Sequence, residues 1–68
     1  MEQKKKELLK KLADAYDQGH PNSFDNTFYL GYDDAVINSL DAGGYIVVQD
    51  DILGTIQLTE FGYNEARK

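Results

Sequence analysis

The chain has 68 residues, a net charge of −5 and no cysteine. Ordering a chain of this length costs roughly 1.5 kcal/mol per residue, about what one small core returns, so a second domain is excluded and residues 1–68 are expected to form a single one. Without disulfides or thiolate metal ligands the chain lacks the supports of small secreted domains, and Met1-Glu2-Gln3-Lys4-Lys5-Lys6 leads into an amphipathic segment with no unbroken apolar run; both features predict a soluble cytoplasmic protein with neither signal peptide nor membrane span.

Leu8, Leu9, Leu12, Ala13, Ala15 and Tyr16 recur at one, three and four residues, one apolar stripe on a 3.6-residue period, and predict a helix over residues 2–18. Gly19 followed by Pro21 is the usual order of a helix stop. Residues 20–27, rich in turn formers, are expected to be a loop, with Phe24 tucked under the domain. Phe28, Tyr29, Tyr32, Ala35, Val36, Ile37 and Leu40 resume helical spacing across Gly31. They predict a short helical turn, a break, and a main helix over residues 32–42, with Asp33 and Asp34 favourably placed in its first turn.

Beyond Gly43-Gly44 the period changes. Tyr45-Ile46-Val47-Val48-Gln49 is β-branched and aromatic, and Thr55-Ile56-Gln57-Leu58-Thr59 alternates, so both are expected to be antiparallel strands. Asp50-Asp51-Ile52-Leu53-Gly54 is of hairpin-loop length, with Gly54 at the position needing positive φ. Thr59 can cap a last helix with Glu60 in its first turn and Arg67 and Lys68 at its end, charges matched to the dipole.

The run Leu40-Asp41-Ala42-Gly43-Gly44-Tyr45-Ile46 followed by Leu58-Thr59-Glu60-Phe61-Gly62 resembles bacterial winged helix-turn-helix proteins. Their main helix ends in a leucine, a short polar stretch and Gly-Tyr-Ile, and their second wing strand runs into Leu-Thr-x-x-Gly. The likeness spans residues 31–66, and Asp33-Asp34-Ala35-Val36 with Gly-Tyr-Ile is also similar to the YjcQ-type family of small bacterial and phage proteins. The resemblance implies an α+β, winged helix-turn-helix-like fold: three helices, the first long and the middle one truncated, a two-stranded hairpin wing and a short C-terminal helix. Residues 19–31 are too short and too rich in turn formers for a full second helix.

Charge sets this chain apart from that pattern. All Lys and Arg fall at positions 4, 5, 6, 10, 11, 67 and 68, whereas residues 12–66 carry ten carboxylates. The helix that would enter a major groove holds Asp33, Asp34 and Asp41, and the wing holds Asp50 and Asp51. Nucleic-acid affinity comes largely from cations neutralising phosphates, so this middle region disfavours a nucleic-acid partner. If DNA is bound, Lys4, Lys5, Lys6, Lys10 and Lys11 would have to supply the phosphate contacts. The alternative for the lysines is a solvated face with Glu7–Lys11 and Lys10–Asp14 paired at four-residue spacing.

Catalytic and metal chemistry find little support. His20 is the single histidine, with Asp17 and Asp25 near in sequence, short of a usual ligand set, and is expected to be a solvated loop residue. Ser23 and Ser39 have only His20 as a base. The pairs Asp33-Asp34 and Asp50-Asp51 lack the alternate spacing of calcium loops and point to helix capping and a solubilising wing tip. Gly43-Gly44 precedes a strand, unlike a phosphate loop. The expectation is a non-enzymatic protein without metal, cofactor or small-molecule substrate.

The remaining candidate is apolar. Ile52 and Leu53 sit at the predicted hairpin tip, where they either stand exposed or fold back on the core. With Tyr29, Tyr32, Asp33 and Asn38 they form the candidate partner-binding set, since an apolar patch with an acidic rim suits a protein interface. Three functions follow: a protein-interaction module binding a protein partner or a second copy as a homodimer, a winged-helix DNA-binding regulator, and an acidic nucleic-acid mimic.

Overall fold

The computed structural model describes residues 2–49 and 51–68. Helix α1 spans Gln3–Asp17 and turns Leu8, Leu9, Leu12 and Ala13 into the core. Tyr16, on the same stripe by spacing, is nearly half exposed and meets Tyr63 edge-on at 5.8 Å. The helix stop predicted at Gly19 is found: the N–H of His20 donates to Ala15 O (3.0 Å) and that of Gly19 to Tyr16 O (3.0 Å), the paired closure of a Schellman motif.

The segment 19–31 departs most from expectation. Its helical turn is a 3₁₀ turn at Asn26–Phe28, beginning inside the stretch expected to be loop, because Asp25 caps it through Thr27 N–H at 3.0 Å. Phe24 is fully buried, as expected, but is also paired: it exchanges two 2.8 Å backbone hydrogen bonds with Ile56. Asn22 does the same with a side chain, its amide donating to Leu58 O (2.8 Å) and accepting from Leu58 N–H (3.1 Å).

Helix α2 spans Asp34–Ala42 and buries Val36, Ile37 and Leu40. It starts two residues later than its apolar spacing suggests, and Asp33 stands at its N-cap without a side-chain cap bond; the capping expected of the Asp33-Asp34 pair reduces to Asp34 in the first turn. Ala35 is exposed. A second Schellman closure ends the helix, with Tyr45 N–H on Leu40 O at 3.0 Å and Gly44 N–H on Asp41 O at 3.1 Å. It requires the left-handed φ of +81° at Gly44, which any other residue would adopt only under strain.

Strands β1 (Ile46–Val48) and β2 (Ile56–Leu58) pair antiparallel, Ile46 opposite Leu58, Val47 opposite Gln57 and Val48 opposite Ile56. Each is shorter at both ends than its predicted run, although Gln49 N–H to Thr55 O (2.8 Å) and Thr59 N–H to Tyr45 O (3.1 Å) continue the ladder. Ile46, Ile56 and Leu58 close the core against α1 and α2. Asp50, placed in the wing loop by the sequence, lies outside the described residues.

Helix α3 spans Glu60–Ala66 and is capped as predicted by Thr59, whose hydroxyl accepts from Gly62 N–H at 2.9 Å. The same hydroxyl faces the carbonyls of Gly44 (2.7 Å) and Tyr45 (3.0 Å), tying the helix start to the base of the hairpin. Leu-Thr-x-x-Gly thus has a physical meaning in this chain: Leu58 fills the core, Thr59 caps, and Gly62 lets α3 cross β1 closely. A Cβ at Gly62 would run into the Tyr45 carbonyl. Gly62→Ala is therefore expected to destabilise the domain by about 1 to 3 kcal/mol through overpacking, against a helix-propensity gain of about 1 kcal/mol; a melting temperature equal to or above that of the parent would contradict this packing.

Candidate interaction surface

The hairpin tip does not swing free. Leu53 O accepts from Asn26 N–H at 3.3 Å, and the Tyr29 hydroxyl donates to Gly54 O. Within the loop, Asp51 accepts from Thr55 N–H at 3.0 Å, and Gly54 adopts φ +65° as its position predicts. These bonds hold the loop backbone to the 3₁₀ turn and leave its apolar side chains outside: Ile52 is 99% and Leu53 61% exposed. Neither folds back on the core. Leu30, two residues beyond the 3₁₀ turn, is 69% exposed. Sequence reasoning missed it; its signal was a leucine beside Gly31 that the helical stripe did not use.

Carboxylates rim this surface. The Tyr29 phenol is raised above its usual range first by burial and then by Asp51, Asp34 and Asp25, which all bear on it. Asp51 is held below the usual carboxylate range chiefly by the Thr55 backbone N–H, and Asp25 by the Thr27 hydroxyl and then its N–H. Both therefore stay anionic beside the exposed loop. Of the predicted partner-binding residues, Tyr29 is brought against the Ile52–Leu53 loop, though half-buried as a strut with only part of its ring outside. Tyr32 is likewise half-buried against the core, and Asp33 is exposed just before α2. Asn38 is exposed with Asp34 and Asp41 at helical spacing on α2, and no hydrogen bond among the described residues joins it to the loop.

The predicted lysine cluster is divided. Lys4 pairs with Glu7 at 3.6 Å, Lys5 is half-buried, and Lys11 lies 6.0 Å over the Phe28 ring. Lys6 and Lys10 line a groove of about 430 Å³ between α1 and α3 with Leu9, Glu65, Ala66 and Lys68. The expected Glu7–Lys11 and Lys10–Asp14 pairs are not formed. Arg67 takes Asp14 instead, its Nη2 2.6 Å from the Asp14 carboxylate, and the same nitrogen lies 3.2 Å from Asp17 one helical turn on. Asp17 also accepts from the Tyr63 hydroxyl at 2.7 Å, so this group of charges docks α3 on α1.

His20 corrects another expectation. It is half-buried, stacked on Phe24 at 4.7 Å and edge-on to Phe28 at 4.8 Å, with Nδ1 2.6 Å from Pro21 O. Its apolar ring faces do structural work that a solvated loop residue would not. Ser39 is half-buried in α2. Among the described residues no three His, Asp or Glu side chains converge on a point a metal could occupy, and no helix is long and apolar enough to cross a membrane. No family model, curated protein or solved structure matches the chain.

Proposed function

We propose that this chain is a non-enzymatic protein-interaction module on a winged-helix scaffold, and that its wing tip with the 3₁₀ turn beneath it is the binding surface. The scaffold reading is supported by the order of elements: a long helix, an extended residue paired with the second hairpin strand, a short turn, a main helix and the hairpin. The observation that carries the functional reading is Ile52, 99% exposed on a loop whose backbone is fastened to the domain by Leu53 and Gly54. An apolar side chain held out by a fixed loop exacts little ordering cost on binding, and the carboxylates around it favour a partner that is apolar at its centre and basic at its edge.

A DNA-reading role meets an obstacle in α2, whose exposed Asp34 and Asp41 would face phosphates with like charge. The test uses a synthetic amphipathic helix of lysine and leucine as probe, followed by fluorescence anisotropy. Ile52→Ser with Leu53→Ser is expected to leave the melting temperature within about 4 °C of the parent, since such surface positions change stability by about 0.5 kcal/mol or less. The same pair should weaken probe binding by about 2 kcal/mol, roughly thirtyfold. Undiminished binding by the double variant would remove the wing tip from the interface.

A further inference from the structure

The groove of about 430 Å³ between α1 and α3 inverts the charge of the wing tip. Lys6, Lys10 and Lys68 line it against a single carboxylate, Glu65. Lys68 holds that carboxylate at 3.1 Å, and Asp14, the helical-spacing partner of Lys10, is taken by Arg67. Lys6 and Lys10, one turn apart and both exposed, are left with no ion pair among the described residues. Leu9 is buried at the base of the groove. The apolar surface it offers is therefore Ala66 and the methylene stems of the lysines, which cover apolar ground while their charged ends stay in water. A ligand for this groove must be convex, apolar and anionic. The wing tip is all three: Ile52, 99% exposed, and Leu53 follow the exposed Asp51 on a protruding loop. Phe61 beside Glu60 is exposed too, but its ring lies stacked on Tyr45 at 5.0 Å and does not project.

We propose that the α1–α3 groove receives the Asp51-Ile52-Leu53 tip of a second copy, a head-to-tail contact that rests on the wing tip being the binding surface and names its partner. Ile52 and Leu53 enter between the lysine stems, and Asp51 meets the unpaired ammonium groups of Lys6 and Lys10. The tip of the same copy does not fill the groove: its backbone is fastened to the 3₁₀ turn through Asn26 and Tyr29, and no wing-loop residue lines the groove. The contact joins two different surfaces, so every copy that docks its tip still presents an empty groove, and association continues past two copies into open chains or a ring. A single loop in a single groove falls short of the roughly 1,000 Å² of a stable interface, which makes the assembly weak and reversible. Complementary charge across it selects this orientation over groove against groove or tip against tip, where like charges would meet.

Two variants, each lacking one half of the contact, give the test. Ile52→Ser with Leu53→Ser removes the tip and keeps the groove; Lys6→Glu with Lys10→Glu reverses the groove and keeps the tip. All four positions are exposed, circular dichroism checks that both variants fold, and Lys6→Gln with Lys10→Gln replaces the second if it does not. On concentration from micromolar to millimolar, amides of residues 51–55, 6–10 and 65–68 of the labelled parent are expected to shift together as its mean mass rises past that of a dimer. Each variant alone should stay monomeric. Mixed in equal amounts they should reach twice the monomer mass and stop, with shifts at 6–10 and 65–68 in the tip variant and at 51–55 in the groove variant. A variant that associates alone, or a mixture that stays monomeric, would overturn the proposal. A parent that stays monomeric but binds the lysine-leucine helix would overturn it and leave the wing-tip reading standing, whereas a parent that does neither would sink both. Groove amides that answer a DNA duplex but not concentration would also overturn it, assigning Lys6 and Lys10 to phosphate.

Discussion

Phe24→Ala is expected to destabilise the domain by about 3 to 5 kcal/mol, enough to populate the unfolded state heavily in a chain this small, for which total stability sits near the lower end of about 5 to 15 kcal/mol. Phe24 is fully buried, stacked on His20 at 4.7 Å and edge-on to Phe28 at 5.0 Å, so alanine would leave a cavity under the loop and release two aromatic partners at once. Its backbone bridge to Ile56 survives the substitution, which confines the effect to the side chain. Because the bridge and the Asn22 amide together close the outer edge of β2, loosening Phe24 should also raise hydrogen exchange at Ile56 and Leu58. A denaturation midpoint close to that of the parent would mean that residues 20–28 form a detachable loop.

Leu40→Ala is expected to cost about 2 to 5 kcal/mol. Leu40 is fully buried, and its carbonyl accepts the Tyr45 N–H that closes α2. The side chain therefore fills the core at the point where the chain leaves the helix for β1. A conservative Leu40→Met change should cost much less, since it keeps volume and leaves the closure intact. An unchanged melting curve for the alanine variant would place Leu40 on the surface and reverse the faces of α2.

What could be read in the sequence was what local spacing and local chemistry decide. The apolar period of α1, its stop at Gly19, the switch to strands after Gly44, the positive φ of Gly54 and the cap at Thr59 all depend on residues within a few positions of one another. Pairings between distant residues could not be read this way. Asn22 looked like a turn former, and its amide satisfies Leu58, 36 residues away. Phe24 looked merely apolar, and its backbone supplies a sheet edge. Arg67 looked like dipole compensation at the end of α3; it reaches Asp14, 53 residues away, and so displaces a lysine pair that helical spacing alone would favour. The 3₁₀ turn fell between the two kinds: its Asp-x-Thr cap is local, but so short an element carries too few periodic residues to be told from loop.

The candidate surface follows the same division. Ile52 and Leu53 were identifiable because an apolar pair at a hairpin tip is unusual wherever the tip lies. Their company was not, because Asn26 and Tyr29 meet the loop only through the fastening of Leu53 and Gly54 to the 3₁₀ turn. The lysines showed the converse: contiguous in sequence, they are parted around α1 into an ion pair, a ring contact and one wall of a groove.

The most direct test of an acidic, apolar wing-tip interface is an amide-resolved NMR titration of the labelled protein, once with a mixed-sequence DNA duplex and once with the lysine-leucine helix, each at low and at physiological salt. The account predicts that the peptide shifts amides in residues 26–34 and 51–55 at both salt concentrations, with the apolar contact at Ile52 and Leu53 outlasting the screening of the carboxylates, and that DNA leaves these residues unmoved. Shifts induced by DNA along residues 34–42 or 4–11 that fade as salt rises, with no response of the wing tip to the peptide, would contradict it and return the protein to the DNA-binding class.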